Sequence, residues 1–88
     1  MESVEKQAYE AGVTYRKKQL VSEGNYQTLV YKLTSIIKKG SKEAFVETLL
    51  DYSKVKRKQI PSVFQEDVMN EEKTFKSSAY AFVIGLTQ

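Results

Sequence analysis

The sequence contains no cysteine and no histidine. Without cysteine there is no disulfide framework and no thiolate metal site, and without histidine the commonest metal ligand and the commonest general acid–base are missing. The single proline and the four glycines argue against collagen-like and turn-rich all-β chains. No apolar run approaches the roughly 18–20 residues of a membrane span, and no secretory signal is visible. We therefore expect a cytoplasmic protein that is not an enzyme and has no membrane segment, metal ion or cofactor.

The composition indicates one folded domain over residues 1–88. Apolar residues make up 41% of the chain and charged residues 28%, which is typical of globular rather than disordered proteins. The formal net charge of +3 is spread unevenly, because residues 1–62 carry twelve Lys/Arg and seven Asp/Glu, whereas residues 63–88 carry two and four. The balances are therefore +5 and −2, so an anionic partner would bind the first part of the chain.

Apolar side chains at three- and four-residue spacing predict a first helix over residues 2–22 and a second over residues 26–39. Gly12 lies inside the first pattern at a cost of about 1 kcal/mol against alanine, and we expect it to mark a close helix contact. Gly40 fits the left-handed position that ends the second helix. The apolar stripes are Val4, Ala8, Ala11 and Tyr15 in the first helix and Tyr26, Val30, Leu33 and Ile37 in the second.

A third helix is predicted over residues 42–56, with Ser41 as its N-cap. Pro61 blocks its continuation and can begin a short helical turn within residues 61–69, and a last helix follows over residues 71–86. The expected fold is all-α, a small antiparallel bundle of four main helices plus a short helical turn. The side chains expected to face the core are Phe45, Leu49 and Tyr52 with Val46 and Leu50 beside them, then Val63, Phe64 and Val68, and finally Phe75, Ala79, Phe82, Val83 and Leu86.

Four acidic residues around the start of the last helix are a candidate hard-cation site. They lack the alternating ligands and central glycine of an EF-hand, so we interpret them as charge at the positive end of a helix. Nothing indicates the cleft that paired catalytic carboxylates need, and a glycine-rich phosphate loop is absent. These acids are Glu66, Asp67, Glu71 and Glu72.

Three groups of basic residues lie at or near the ends of predicted helices and are the candidate nucleic-acid-binding residues. Each group alone is typical of a solvated helix end, but together they favour a basic band that follows a nucleic-acid backbone. In an antiparallel bundle the first and third groups would lie at one end and the second group at the other. Lysines outnumber arginines twelve to two, which favours contacts that do not read bases. The groups are Arg16, Lys17 and Lys18; Lys38, Lys39 and Lys42; and Lys54, Lys56, Arg57 and Lys58.

Aromatic and apolar residues offer two further contact surfaces. Five tyrosines could stack on bases, although we expect most of them to be core or interface residues. The last helix is apolar almost all round over residues 79–86, so we expect part of it to meet a partner chain. The five tyrosines are Tyr9, Tyr15, Tyr26, Tyr31 and Tyr52.

From Tyr31 onward the chain contains YKLTSIIKKGSKEAFVETLLDY and then IPSVFQEDVMNEEKTFKSSAYAFVIGLTQ. These segments resemble the C-terminal region of the large subunits of type I CRISPR interference complexes, particularly type I-B. In those proteins a helix pair is followed by an acidic loop and a closing FxxxAYAFxxGL helix. Residues 1–30 match only in their helical, basic character. The closing motif is Phe75, Ala79, Tyr80, Ala81, Phe82, Gly85 and Leu86.

The resemblance implies a non-catalytic small subunit of an RNA-guided Cascade complex in antiviral defence. Such subunits pack in several copies beside the large and backbone subunits, and they help to hold the guide RNA–target DNA heteroduplex and the displaced non-target strand. The same region is often made separately from an internal start codon, and a chain beginning at Met1 resembles that product. The resemblance does not identify binding residues, so the ten basic candidates rest on charge alone.

Two other functions remain open at this point. One is a pure assembly subunit that contacts only protein neighbours, with its lysines providing solubility. The other is a free-standing DNA-binding regulator. Against the regulator, the sequence has no helix pair with a three- or four-residue turn and a polar recognition face suited to the major groove.

Overall fold

The computed structural model describes residues 3–65 and 72–88. Over these residues the chain forms four α-helices and short 3-10 turns, with one isolated β-bridge in place of any sheet. The all-α bundle predicted from the sequence is therefore confirmed. The α-helices are α1 (Val4–Lys17), α2 (Tyr26–Lys39), α3 (Lys42–Tyr52) and α4 (Glu72–Leu86), and the 3-10 turns are Glu23–Asn25, Arg57–Gln59 and Ser62–Gln65.

Helix α2 has the bounds that its sequence predicts. It ends at Gly40, whose φ of 76° lies in the left-handed region that glycine adopts without a Cβ penalty. The Gly40 N–H donates to the carbonyl oxygens of Ile36 and Ile37, both at 3.0 Å, and so satisfies two groups at the helix end. Ser41 then caps α3, because its Oγ accepts from the Ala44 N–H at 3.2 Å.

The prediction that the first helix runs to residue 22 is wrong, because α1 ends at Lys17. Gln19 takes a left-handed φ of 53°, and the chain then turns so that Val21 becomes buried. Val21 forms the isolated antiparallel bridge with Ser53. Burial of Val21 and this long-range pairing compensate for the helical hydrogen bonds that the last predicted turn would have made.

The prediction that the third helix runs to residue 56 is also wrong, because α3 ends at Tyr52. Ser53 has extended backbone angles (φ −115°, ψ 167°), and its hydroxyl donates to the Leu49 carbonyl oxygen. The Lys54 N–H then donates to the Leu20 carbonyl oxygen at 2.7 Å. These contacts join the end of α3 to the segment after α1 and turn the following residues away from the helix axis.

Helices α1 and α4 form the most extensive helix contact among the described elements. The contact depends on Gly12 and Gly85, whose Cα atoms face one another across the helix crossing. A Cβ atom on Gly12 would overlap the carbonyl oxygen of Phe82 and stand 3.0 Å from the Gly85 Cα. A Cβ atom on Gly85 would overlap the carbonyl oxygen of Tyr9. The close helix contact expected at Gly12 is therefore confirmed.

Aromatic rings fill the centre of the bundle. Phe45 of α3 lies against Phe64 (ring centroids 4.9 Å apart) and Phe75 (5.5 Å), and Phe82 packs edge-on against Phe64 (5.5 Å). The predicted core stripe of α4 is confirmed, since all five of its members are buried. The predicted turn after Pro61 is seen as the 3-10 turn, and the rest of that turn, with Val68, lies outside the described residues.

Two buried hydroxyls have no hydrogen-bond partner among the described residues, Tyr15 Oη and Ser78 Oγ. Burial also raises the pKa of the Tyr15 phenol from 10.0 to about 12, because the charged form loses its hydration. The Tyr15 ring itself packs edge-on against Phe82, with centroids 5.3 Å apart. The ring therefore stabilises the core while its hydroxyl opposes folding.

Tyr15→Phe is expected to raise the free energy of unfolding by about 1 kcal/mol near neutral pH, because it removes an unpaired buried hydroxyl and keeps the ring. The advantage should grow at high pH. Because the folded-state pKa of Tyr15 lies above the unfolded one, the wild type loses stability as the pH rises from about 10 towards 12, whereas phenylalanine has no proton to lose. Urea unfolding at about pH 8 and about pH 11 measures both effects. Tyr31→Phe, at an exposed ring, is the control, and equal stability of Tyr15→Phe and wild type at both pH values would contradict the prediction.

Candidate nucleic-acid interface

A groove of about 630 Å³ lies between the start of α3 and the segment that follows it. Lys42, Lys56 and Lys58 line this groove together with Arg57, and Glu43 adds one acidic side chain. The buried side chains of Ile60 and Phe64 form its floor. We call this feature the basic groove. Lys42 belongs to the second basic group of the sequence and the other three cations belong to the third, so the groove brings two separate groups together.

The segment after α3 returns alongside that helix and is held there by side-chain contacts. Arg57 Nη2 donates to Glu47 Oε1 at 2.7 Å, which ties the segment to the middle of α3. The Lys56 N–H donates to Gln59 Oε1 at 2.8 Å and closes the 3-10 turn. Both partners of the ion pair are exposed, so the pair contributes only about 0–1 kcal/mol to stability. Its effect is to direct Lys56 and Lys58 towards Lys42.

This return corrects the expected placement of the third basic group. The sequence places Lys54, Lys56, Arg57 and Lys58 together at the end of α3, beside the first group. Only Lys54 lies there, through its hydrogen bond to Leu20, whereas the other three lie near the start of α3. The reason is the early end of α3 at Tyr52, which frees the chain to reverse direction.

The basic candidates consequently lie at the two ends of α3, and the exposed charged side chains between these ends, Glu43, Glu47 and Asp51, are acidic. The 11 residues of α3 make it about 16 Å long, with Lys42 at the start and Lys54 just beyond the end. One strand of a duplex advances about 3.4 Å per phosphate, so this length corresponds to about five phosphates. Lys38 and Lys39 are exposed and precede Lys42 across the Gly40–Ser41 connection, so they add to the positive charge near the start of α3.

The first basic group lies at the end of α1, where Lys17 and Lys18 are exposed. Arg16 is held by two neighbours. Its guanidinium carbon stands 4.2 Å from the centroid of the Tyr26 ring, and its Nη2 is 3.8 Å from Glu23 Oε1. A cation fixed over an aromatic face in this way keeps its charge while losing little freedom on binding an anion.

Arg16 also lines a second, smaller cleft of about 430 Å³ between α2 and the end of α4. We call it the Tyr31 cleft. It is defined by Arg16, Tyr26, Gln27, Val30, Tyr31, Leu86 and Thr87.

The five candidate stacking tyrosines divide sharply by exposure. Tyr15 and Tyr26 are buried and Tyr9 and Tyr52 are half-buried, as expected for core residues, whereas 74% of Tyr31 is exposed. The helical period could have singled out Tyr31, because it lies off the stripe of Tyr26, Val30, Leu33 and Ile37. The Tyr31 cleft itself could not be found this way, since its other wall comes from the end of α4.

The acidic candidates fall mostly outside the described residues, which exclude Glu66, Asp67 and Glu71 and the side chain of Glu72. Within residues 3–65 and 73–88, no group of three or more acidic side chains is placed to hold a metal ion. None of the described helices is long and apolar enough to cross a membrane.

The fold and the groove together define an all-α protein with a lysine-lined groove at the start of α3. Comparison of the chain with protein-family models, with curated proteins and with solved structures finds no significant match.

Proposed function

We propose that this protein is a non-catalytic helical subunit that binds the backbone of nucleic acid without reading its sequence. The basic groove carries this proposal, since it gathers Lys42, Lys56 and Lys58 from two segments on one surface. Phosphate binding favours such gathered lysines, because each one releases condensed counterions when it meets a phosphate. Lysine is a point charge without the fork geometry that reads guanine, so the contacts carry no sequence information.

Two further features support backbone binding at the basic groove. Helix α3 begins at the groove, so the positive end of its dipole adds to the lysine charges there. Lys38 and Lys39 are exposed and lie just before Lys42 in the chain, so they add positive charge near the groove. One copy of the chain offers few contacts, so binding by the isolated chain is weak and becomes strong when several copies line up.

The more particular proposal is a small subunit of a type I CRISPR interference complex, most closely type I-B. Its support is the resemblance of residues 31–88, together with an all-α fold that suits a module without catalytic residues. In that setting the guide RNA, the target DNA, the large and backbone subunits and further copies of the chain are its partners. The basic groove would hold the heteroduplex or the displaced strand.

Neutralising the basic groove is expected to weaken nucleic-acid binding equally for all sequences. The test variant is Lys42→Gln/Lys56→Gln/Lys58→Gln, and the control is Lys6→Gln/Lys73→Gln/Lys76→Gln. Each removes three positive charges and so takes the formal net charge from +3 to 0. The groove variant should also depend less on salt. When the logarithm of the binding constant for a single strand is plotted against the logarithm of the salt concentration, the slope should become shallower by about 2, because each of the three lost phosphate contacts contributes about 0.7.

Binding is measured by fluorescence anisotropy of labelled oligonucleotides of two unrelated sequences, each at several salt concentrations. Arg57 is left unchanged, because its loss would leave the Glu47 carboxylate unpaired and release the segment that carries Lys56 and Lys58. Equal weakening by the two triple variants would mean that net charge alone drives binding, and the groove would then have no special role. Binding that differs between the two sequences would contradict the backbone mode.

Co-purification tests the particular complex. We expect a tagged copy of the chain, expressed in its source cells, to emerge with a large CRISPR subunit, backbone subunits and a guide RNA. Recovery of the chain alone, or with proteins that carry no RNA, would contradict the CRISPR assignment and leave the backbone-binding proposal to the oligonucleotide experiment.

A second candidate is a subunit that contacts only protein neighbours. The observation that favours it is the outer face of α4, where 39% of Tyr80 and 55% of Ile84 are exposed. Two exposed apolar side chains one turn apart, on a helix whose opposite face is buried, are typical of a protein contact. Under this alternative, Tyr80→Ser/Ile84→Ser abolishes assembly while the lysine variants assemble and function normally.

A further inference from the structure

Tyr31 forms one wall of the Tyr31 cleft and is the most exposed large apolar side chain among the described residues. Gln27 lies one turn before it on the same face of α2, so the two side chains stand side by side at the cleft. Leu86 and Tyr26, which are buried, provide an apolar floor. The volume of about 430 Å³ lies within the range of roughly 300–1,000 Å³ that small-molecule sites occupy.

The rim of the cleft carries the polar groups that a planar heterocycle needs. Gln27 offers an amide, and Thr87 offers a hydroxyl oxygen, although the Thr87 hydroxyl hydrogen is donated to the Ile84 carbonyl at 2.7 Å. Arg16 stands at the same cleft, held over the Tyr26 ring, and the exposed Lys17 and Lys18 follow it along the chain. An aromatic wall beside fixed and mobile cations suits a ligand that is both flat and anionic.

We propose that the Tyr31 cleft binds one unpaired base of a single-stranded nucleic acid, stacked on Tyr31, with the neighbouring phosphates near Arg16, Lys17 and Lys18. This inference rests on the proposed function and adds to it a preference for single strands. A base inside a duplex is already stacked and paired, so it cannot enter the cleft without being extruded. The basic groove, in contrast, reads only phosphates and does not distinguish strands with bases from strands without them.

An abasic oligonucleotide separates these two modes, because it keeps every phosphate and lacks the bases. The probes are a fluorescent thymidine oligonucleotide of about 15 nucleotides, an abasic oligonucleotide of the same length, and the thymidine strand paired with its complement. The full chain is expected to bind the thymidine strand roughly 5- to 150-fold more tightly than the abasic strand, which is the usual contribution of one stacked base. This ratio should stay constant as salt is raised, while both affinities fall.

Two variants identify the side chain responsible. Tyr31→Ala should reduce the ratio of thymidine-strand affinity to abasic-strand affinity towards one. Tyr31→Phe should keep this ratio, because phenylalanine keeps the aromatic face on which a base stacks. Tyr31 is largely exposed, so neither change should lower the melting temperature appreciably. The variant Lys42→Gln/Lys56→Gln/Lys58→Gln should weaken binding of both single strands and leave their ratio unchanged.

The outcomes distinguish this inference from the proposed function. If wild type binds the thymidine and abasic strands equally well, base stacking is overturned and backbone binding stands. If wild type binds none of the three probes at low salt, both proposals fail. If Tyr31→Ala binds every probe like wild type but changes from a dimer to a monomer in sedimentation, the cleft is a contact between copies of the chain, and the base site is overturned.

Discussion

Phe82→Ala is expected to lower the free energy of unfolding by about 3–5 kcal/mol, the usual cost of truncating a buried phenylalanine. Phe82 is fully buried and meets three other rings, with centroid distances of 5.3 Å to Tyr15, 6.0 Å to Phe45 and 5.5 Å to Phe64. Its removal leaves a cavity where α1, α3 and α4 converge. Small domains have roughly 5–15 kcal/mol of stability in total, so the loss should bring this one close to unfolding.

Ile84→Ala is the matched control for that experiment, since it truncates a large apolar side chain two residues further along α4. More than half of Ile84 is exposed, and we expect its truncation to change stability by no more than about 0.5 kcal/mol. Urea unfolding followed by circular dichroism at 222 nm measures both variants. A Phe82→Ala protein as stable as Ile84→Ala would contradict the aromatic core described above.

Gly85→Ala and Gly12→Ala are expected to destabilise the protein even though alanine is the better helix former. The substitution gains about 1 kcal/mol in helix propensity. Against this, the new Cβ would overlap a backbone carbonyl oxygen of the opposite helix, that of Tyr9 for Gly85 and that of Phe82 for Gly12. Backbone atoms cannot rotate away as a side chain can, so α1 and α4 must separate. We expect a net loss of about 3 kcal/mol, the upper part of the usual range for overpacking.

Gly24→Ala provides the control for the glycine variants. Gly24 lies in the Glu23–Asn25 turn, and an added Cβ there meets nothing within 4 Å. Its substitution should be close to neutral, or slightly stabilising through the unfolded state. If Gly12→Ala and Gly85→Ala instead raise the urea midpoint, as helix propensity alone predicts, α1 and α4 do not approach as closely as described.

The parts of the fold that the sequence predicts well depend on short-range patterns. Helix α2 was predicted with its observed bounds because its apolar stripe, its C-terminal lysines and Gly40 all lie within the helix or directly after it. The core face of α4 was predicted for the same reason. The close contact at Gly12 was expected from the cost of glycine inside a helix, although its partner Gly85 was not. Gly12 and Gly85 become neighbours only because α1 and α4 cross at these two residues.

The candidate site was predicted less completely, because it depends on where two helices stop. The sequence marks all ten basic residues by their charge, yet it keeps Lys42 apart from Lys56 and Lys58. They come together because the chain leaves α3 at Ser53 to pair with Val21, thirty-two residues earlier. A helical pattern that continues through Val55 contains no sign of that pairing.

The sequence by itself determined the fold class, the four amphipathic helices, the buried face of α4 and the excess of lysine in the first part of the chain. These properties follow from spacing and composition, which act between near neighbours. Only the tertiary structure decided where α1 and α3 end, that the basic groove forms beside Lys42, and that Tyr31 stands exposed at a cleft. The physical reason is that a helix end is set by competition between local hydrogen bonds and distant partners such as Val21 and Ser53, and a surface cleft exists only once separate helices have packed.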